Sequence, residues 1–322
     1  SAHETIWLGS GASGNHRSKG IKIYNYDGGI IKTTDEGDSP IIGFHLVDFE
    51  FINYQGGTIE GDDRHAVNTE QSEDINFTNN GTITATDKSA FYCKTCSDVT
   101  FNNTGTMTSG NNAVVISNGD NISVTNSGTI TATTDNSGLN ISSSDGTVVT
   151  NTGTISGVDH GMQSSNVDNS TITNHGTISA SANLGYGILY ENDGTNRVNN
   201  TLNNYGTISA TSGSFADGIG IGKNAIPMFN ITINNYGTIS GSGNSIFILN
   251  SSSTGIDIVT KDEGTYEGSI DLNDTTTTMT LDCSISKDQK IEILRKTNAA
   301  TVPSQGTPPA EDFDYNKWNQ LL

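Results

Sequence analysis

Asn151-Thr152-Gly153-Thr154-Ile155 is one copy of a five-residue motif, Asn-x-Gly-Thr-Ile, whose regular recurrence decides the fold of this 322-residue chain. Counted along the sequence, neighbouring motif glycines are 24, 23, 25, 23, 30 and 31 residues apart. A period in the twenties with strand-like units predicts a solenoid, in which each unit buries its apolar face against the next. The motif glycines are Gly81, Gly105, Gly128, Gly153, Gly176, Gly206 and Gly237.

Each position of the motif has one chemical character when the copies are aligned. A Thr always follows the glycine, and the residues two after and four before it are apolar in every copy. This alternation predicts two short strands that meet at a corner with apolar columns facing inward. We expect the glycine to supply backbone freedom at that corner and the Asn to adopt a left-handed conformation. Stacked Asn amides are expected to form a hydrogen-bonded ladder from Asn79, Asn103, Asn126, Asn151, Asn174, Asn204 and Asn235.

A third, less regular apolar segment follows the motif, as in Val114-Val115-Ile116 and Ile246-Phe247-Ile248. Three strands per unit predict an all-β, three-sided parallel β-helix, and related segments after Asn25 and Asn53 indicate earlier coils. With roughly 4.8 Å between stacked strands, about ten coils give a rod on the order of 45–50 Å long.

The predicted domain organisation places the parallel β-helix at residues 21–283. Residues 1–20 are interpreted as an N-terminal cap or tag remnant, because an open end of a solenoid exposes an unpaired strand edge. Residues 284–322 are interpreted as terminal strands, a Pro-containing linker and a tail. No signal-peptide pattern begins at Ser1, so we expect a processed product or an excised segment.

The charge balance excludes several classes of partner. Fifteen basic and thirty-five acidic residues give a net charge of −20, which repels nucleic-acid phosphates and anionic lipid. No apolar stretch approaches the ~20 residues of a membrane helix, so membrane insertion by this segment is not expected. We predict no cofactor.

Three cysteines occur, and the Cys93-Lys94-Thr95-Cys96 spacing predicts a small local disulfide. Two alternatives stay open, namely free thiols and metal or redox chemistry. A redox pair would normally open a helix in a βαβ unit, and zinc would need a second ligand pair. We therefore predict no metal site, and Cys283 is left unpaired.

The candidate binding surface is aromatic. His175, Tyr205 and Tyr236 precede three successive motif glycines, so they are expected to stack along one corner and to contact sugar rings or protein side chains. The two longest units add loops at Glu191–Arg197 and 223–228, and Glu191, Asp193 and Arg197 are the ligand-binding candidates there. The alternatives are an aromatic stack that only covers the corner and loops that only absorb extra residues.

The repeated motif, the rare and closely spaced cysteines and the segment Gly268-Ser269-Ile270-Asp271-Leu272 resemble the passenger domains of bacterial type V autotransporters. The similarity covers roughly residues 24–281, and it is greatest to adhesin-like passengers of the Campylobacter and Helicobacter type. Two-partner-secreted adhesins share the same repeat style. The resemblance implies a right-handed β-helix, export through an outer-membrane barrel of the full-length protein, and adhesion or bacterial aggregation at the cell surface.

Two Asn residues are candidate glycosylation sites. Asn76 and Asn273 lie in Asp-Ile-Asn-Phe-Thr and Asp-Leu-Asn-Asp-Thr, which look like an acidic-extended acceptor sequence of some bacterial systems. Chance matches are expected in a chain so rich in Asn, Ser and Thr.

Catalysis is the main alternative class of function. Glycan lyases and hydrolases also use parallel β-helices, and they need clustered carboxylates with a basic residue on one face. Asp62-Asp63-Arg64-His65 and Asp159-His160 are the nearest matches, and neither aligns such a set on adjacent coils. Gly37-Asp38-Ser39 resembles a protease nucleophile motif, but too few residues precede it for that fold.

The sequence therefore predicts a non-enzymatic adhesin, displayed on a bacterial surface or secreted. The predicted partners are a host-cell glycan, a host protein or a second copy of the chain. A glycan-cleaving enzyme, a toxin-like passenger and a non-binding stalk remain the alternatives.

Overall fold

A computed structural model describes residues 6–9, 17–33, 38–192, 199–222, 227–250, 252–261, 264–273, 278–281 and 293–294. Throughout these residues the regular structure consists of strands, and all of the strand pairs are parallel. The chain winds through about ten turns, each with three strands. The all-β, three-sided parallel β-helix with an Asn ladder is confirmed.

The three sides of the rod are named here in the order in which each coil visits them. The first face ends at the ladder Asn and comprises Ser18–Lys19, Lys22–Asn25, Leu46–Asn53, Glu73–Asn79, Ser97–Asn103, Ile122–Asn126, Val148–Asn151, Thr171–Asn174, Asn200–Asn204, Phe229–Asn235, Thr254–Thr260 and Thr278–Leu281. The second face comprises Ile30–Lys32, Thr58–Gly61, Thr82–Ala85, Thr106–Ser109, Thr129–Ala132, Thr154–Gly157, Thr177–Ala180 and Thr207–Ala210.

The third face comprises Ile6–Leu8, Ile41–Phe44, Val67–Glu70, Phe91–Lys94, Val114–Ser117, Ser137–Asp145, His160–Asp168, Tyr186–Glu191, Asp217–Ile221 and Ile293–Leu294. Two long strands, Thr238–Ile248 and Thr265–Asp271, run from the second face onto the third. They join those two faces into one hydrogen-bonded sheet, while the first face forms a separate sheet.

The core is a narrow column in which like residues stack on like residues. Ile83 pairs in register with Ile59 and Met107, and this column continues through Ile130, Ile155 and Ile178. Rings also stack inside the rod: Phe77 lies 4.8 Å from Phe51 and 5.0 Å from Phe101, measured between ring centroids. A core only one side chain deep on each face needs few apolar residues, which is why 32% hydrophobic content suffices.

The Asn ladder forms one continuous chain of side-chain hydrogen bonds. From Asn25 to Asn204, each Asn Nδ2 donates to the Oδ1 of the Asn one coil later, at 2.8–2.9 Å. The last, Asn235, donates to the Thr265 carbonyl oxygen at 3.0 Å. The same Nδ2 atoms contact backbone carbonyl oxygens of the next turn, so the buried amides are satisfied. The ladder begins earlier than the regular motif, with Asn25 and Asn53, and continues through Asn79, Asn103, Asn126, Asn151, Asn174, Asn204 and Asn235.

The expected conformation of the ladder corner was wrong. No ladder Asn has a positive φ, and neither does any motif glycine from Gly81 onward. Most left-handed residues other than glycine lie instead at the corner between the third and first faces, often in pairs three residues apart such as Thr95 and Asp98. The motif glycine is needed for close approach, because a Cβ on Gly105 would lie 2.1 Å from the Gly81 carbonyl oxygen.

Strands also form outside residues 21–283. Ile6–Leu8 pairs with Ile41–Phe44, and Ser18–Lys19 pairs with the start of Leu46–Asn53. Near the other end, Ile293–Leu294 pairs with Ile270 and Asp271. The domain limits at residues 20 and 283 stay predictions, and Cys283 with residues 295–322 lies outside the described residues.

Candidate functional site

The aromatic corner, formed by His175, Tyr205 and Tyr236, is a stack of three rings. The centroids of His175 and Tyr205 are 4.6 Å apart with planes 7° from parallel, and those of Tyr205 and Tyr236 are 4.5 Å apart at 13°. The ladder sets this spacing, since the backbone N–H of each residue donates to a ladder Asn carbonyl one coil earlier. For Tyr205 that acceptor is Asn174, at 2.7 Å.

The aromatic corner faces solvent, with Tyr205 44% exposed. Partial burial, followed by the neighbouring Tyr236, raises the pKa of Tyr205, so the Tyr205 phenol stays neutral at physiological pH. Within the stack the rings cover one another's faces. Only the ring edges and the polar atoms at the ends of the side chains are directed away from the side of the stack. The ring face of His175 that does not contact Tyr205 is directed toward the preceding coil. Contacts along the side of the stack therefore combine ring edges with hydroxyl hydrogen bonding.

Glu191, the loop candidate that the structure describes, does not join the aromatic corner. Glu191 lies at the end of a third-face strand, where it accepts hydrogen bonds from Ser165 Oγ at 2.7 Å and from Gln163 Nε2. The aromatic corner lies between the first and second faces, so Glu191 belongs to another side of the rod. Asp193 and Arg197 lie outside the described residues, as do residues 223–226.

The two glycosylation candidates differ in their surroundings. Asn76 is exposed on the outer side of the first face, between Glu50 and Thr100 of the adjacent coils. Its neighbour Phe77 points into the core. Asn273 is partly exposed, and residues 274–277, which complete its sequence motif, are outside the described residues.

Cys93 and Cys96 are joined by a disulfide, the pairing that their spacing favours. Both are fully buried, and Thr69 Oγ1 contacts Cys93 Sγ at 2.9 Å. The crosslink encloses Thr95, a left-handed residue at the corner before the first face. It is therefore part of the core rather than an exposed thiol site.

The acidic segment around Asp62 adjoins a cavity that sequence spacing did not indicate. The cavity measures about 230 Å³ and is lined by Lys32, Thr33, Glu60, Gly61, Asp62 and Thr86. Lys32 and Glu60 are direct partners on adjacent coils, and Asp62 lines the same cavity. The expectation that neither acidic segment aligns two carboxylates with a basic residue on adjacent coils stays a prediction.

His65 takes a structural position beside this cavity. Its ring stacks on Tyr92 with centroids 4.1 Å apart, and its Nδ1 accepts a hydrogen bond from the Ser89 N–H at 3.1 Å. Burial lowers the pKa of His65 to about 4, with Lys88 and Arg64 adding to the shift. A neutral imidazole that already accepts a backbone hydrogen bond is a poor general acid at neutral pH.

A partly buried polar column lies on the third face, and of its members the sequence analysis singled out only His160. Tyr186 stands between His160 and Asp217 in the register, and the rings of His160 and Tyr186 are 5.5 Å apart. Burial raises the pKa of Asp217 to about 6, although hydrogen bonds from the Asn244 N–H and Nδ2 oppose the shift. Burial likewise raises the pKa of Tyr186 to about 12. Perturbed groups of this kind are common at functional sites and in structural cores alike.

Within the described residues, no set of three or more His, Cys, Asp or Glu side chains is arranged to hold a metal ion. That same part of the chain contains no helix with the length and hydrophobicity of a membrane span. Comparison with protein-family profiles, with curated proteins and with solved structures gave no match. The structure thus establishes a repetitive parallel β-helix.

Proposed function

We propose that this chain is the adhesive passenger region of a bacterial autotransporter-like protein, displayed at the cell surface or secreted. The observation that carries the proposal is the solvent-facing aromatic corner of His175, Tyr205 and Tyr236 on a stiff rod. Aromatic and hydroxyl groups held at fixed spacing can contact a host glycan, a host protein or a second copy of the chain without catalysis. The outer-membrane barrel that such a protein needs would belong to its full length.

The mechanism follows from the backbone. Each residue of the aromatic corner is held by a backbone hydrogen bond to the preceding coil, so little conformational entropy is lost when a partner binds. The net charge of −20 favours a neutral or basic partner surface over anionic ones. A rod on the order of 45–50 Å long would hold this corner away from the bacterial surface.

The test is binding of fluorescently labelled chain to epithelial cells, together with light scattering to detect self-association. We expect saturable binding, reduced at least tenfold by the combined Tyr205→Ala and Tyr236→Ala substitutions. The matched control combines Leu184→Ala with Phe215→Ala, which removes two exposed apolar side chains away from the aromatic corner. Equal binding by the wild type and a folded Tyr205/Tyr236 variant would reject this corner as the contact surface. Absence of both binding and self-association would favour a stalk.

A second candidate function is glycan cleavage, supported by the cavity that Lys32, Glu60 and Asp62 share. Two carboxyl groups and a lysine side chain are residue types that such chemistry uses. Incubation with soluble polysaccharides, followed by assays of reducing ends and of ultraviolet-absorbing unsaturated products, tests this proposal. Product formation that is lost in Glu60→Gln and Asp62→Asn would make the chain an enzyme. No product from any substrate would leave adhesion as the better proposal.

A further inference from the structure

The corner that carries His175, Tyr205 and Tyr236 also carries a second aromatic stack near the other end of the rod. Tyr26 and Tyr54 follow the ladder residues Asn25 and Asn53, just as Tyr205 follows Asn204. Their ring centroids are 5.0 Å apart with planes only 5° from parallel, and Tyr26 is 61% exposed. We call this pair the N-terminal stack.

Four small polar residues separate the two stacks, and we call them the polar floor. Backbone hydrogen bonds of 2.7–2.8 Å to the ladder Asn of the preceding coil hold each member, and the same bonds hold Tyr54 and His175. The column is therefore continuous, and Tyr54 and His175 are five coils, or about 24 Å, apart. The members of the polar floor are Asn80, Thr104, Ser127 and Thr152.

In each stack, the ring nearest the polar floor has one face covered by its stacking partner. One face of Tyr54 is covered by Tyr26, so its other face is directed along the corner toward Asn80. One face of His175 is covered by Tyr205, so its other face is directed toward Thr152. Because the polar floor has shorter side chains than the rings, the corner forms a shallow trough with an aromatic wall at each end.

The lining of the trough is neutral and rich in hydroxyl and amide groups. Thr104 Oγ1 donates to Asn80 Oδ1 at 2.7 Å, and no ionisable side chain stands in the polar floor. The outward columns on either side of it carry only Thr and Asn over the same four coils. They are Thr78, Asn102, Thr125 and Thr150 on the first face, and Thr82, Thr106, Thr129 and Thr154 on the second.

We propose that this trough binds one neutral, linear glycan chain that lies along the corner from Tyr54 to His175. Sugar hydroxyls match the hydroxyl and amide lining, and the apolar side of a sugar ring suits an aromatic face at each end. The net charge of −20 opposes polyanions such as sulfated glycans and nucleic acids. This inference rests on the proposed adhesive function, because it shares His175 with that surface, and it adds the ligand class, its orientation and Tyr54.

The test measures binding to immobilised linear neutral glycans of two to eight sugars, with heparin oligosaccharides as the anionic comparison. We expect the affinity to rise with chain length until the glycan spans the ~24 Å between the walls, and heparin to bind at least tenfold more weakly. Tyr54→Ala and His175→Ala should each weaken the longest glycans at least fivefold. Their effect on the shortest glycans should be smaller, because a short chain reaches only one wall.

A blocking variant keeps the proposal falsifiable if removal of a ring disturbs the corner. Ser127→Tyr places a large side chain in the middle of the polar floor and should weaken long glycans at least tenfold. Thr100→Tyr is its control, because Thr100 is exposed on the first face away from the corner. Unchanged binding by Ser127→Tyr, tight heparin binding, or no binding of the neutral glycans would overturn the trough. If cell binding still depended on Tyr205 and Tyr236, the adhesive function would stand without it.

Discussion

Replacement of Asn103 by Leu would interrupt the Asn ladder in its interior while keeping a side chain of similar size. Asn103 is 1% exposed, and its Nδ2 donates to Asn126 Oδ1 at 2.8 Å. The same Nδ2 contacts the carbonyl oxygens of Gly105 and Thr129 at 3.3 Å. In return, Asn103 Oδ1 accepts a hydrogen bond from Asn79 Nδ2 at 2.8 Å.

The expected cost follows from the groups that the substitution leaves behind. Asn126 Oδ1 loses its ladder donor, and Asn79 Nδ2 keeps only its two longer contacts at 3.3 Å. A buried polar group left without a partner costs about 1–3 kcal/mol. Because Asn79 Nδ2 keeps its two longer contacts, we take the cost for the two groups as about 2–5 kcal/mol, slightly less than twice that range. Extra apolar burial by Leu offsets about 1 kcal/mol of this. The net loss in the free energy of unfolding is therefore about 1–4 kcal/mol.

Asn102→Leu is the matched control, because it makes the same change one residue earlier on the outward side of the strand. An outward substitution of this kind changes stability by about 0.5 kcal/mol or less. Urea unfolding followed by circular dichroism should show a clearly lower midpoint for Asn103→Leu than for Asn102→Leu. Equal midpoints for the two variants would show that the ladder contributes no net stability, and the argument from unsatisfied amides would be refuted.

Three further variants test other parts of the rod. Gly153→Ala would put a Cβ 2.1 Å from the Gly128 carbonyl oxygen, so we expect overpacking to lower the free energy of unfolding by about 1–3 kcal/mol. An unchanged urea midpoint would contradict the close approach. Tyr190→Phe removes a buried hydroxyl that has no hydrogen-bond partner among the described residues, so the melting temperature should stay the same or rise, and a clear fall would refute this. Burial raises the pKa of Asp217 from 3.8 to about 6, so its protonated form favours the folded state below about pH 4, and that contribution is lost as pH rises through 6. Asp217→Asn should therefore unfold at higher urea than wild type at about pH 7.5 and at similar urea near pH 3.5, and a pH-independent difference would refute this.

The fold could be predicted because the same sequence pattern recurs from coil to coil. The Asn column, the Ile and Met column after the glycine, and the apolar column before it align over seven copies. Each unit also has the correct alternation for two strands and a corner. The structure adds that the ladder starts at Asn25 and Asn53, where an extra residue disturbs the spacing but not the hydrogen bonding.

The errors at the corners have a physical origin. A recurring glycine at a corner predicts a need for backbone freedom, whereas here the neighbouring coil leaves no room for a Cβ. The sequence of one repeat does not reveal how closely neighbouring coils approach each other. The left-handed positions at the other corner were missed because several residue types occupy them, among them Gln71, Thr95 and Asn118. Because the residue type varies from coil to coil at these positions, no sequence motif marks them.

The candidate site was only partly predictable. The stacking of His175, Tyr205 and Tyr236 follows from their common place in the motif, but ring angles and covered faces require coordinates. Glu191 could not be assigned to a side of the rod, because the inserted residues break the count along the coil. The elevated pKa of Asp217 also escaped detection, since burial depends on neighbours from other coils.

Function on this rod is expected to concentrate at the one position of the motif that is free to vary. The Asn is fixed by the ladder, the glycine by close approach, and the residue after the Thr by the core. The position between Asn and glycine has only its backbone fixed, through the hydrogen bond to the preceding ladder residue. Its side chain faces outward, so changes there cost little stability and directly alter the surface. In this chain that position reads Tyr, Tyr, Asn, Thr, Ser, Thr, His, Tyr and Tyr from residue 26 to residue 236. Large aromatic residues at both ends and small polar ones between them give the corner a pattern that stability alone does not require.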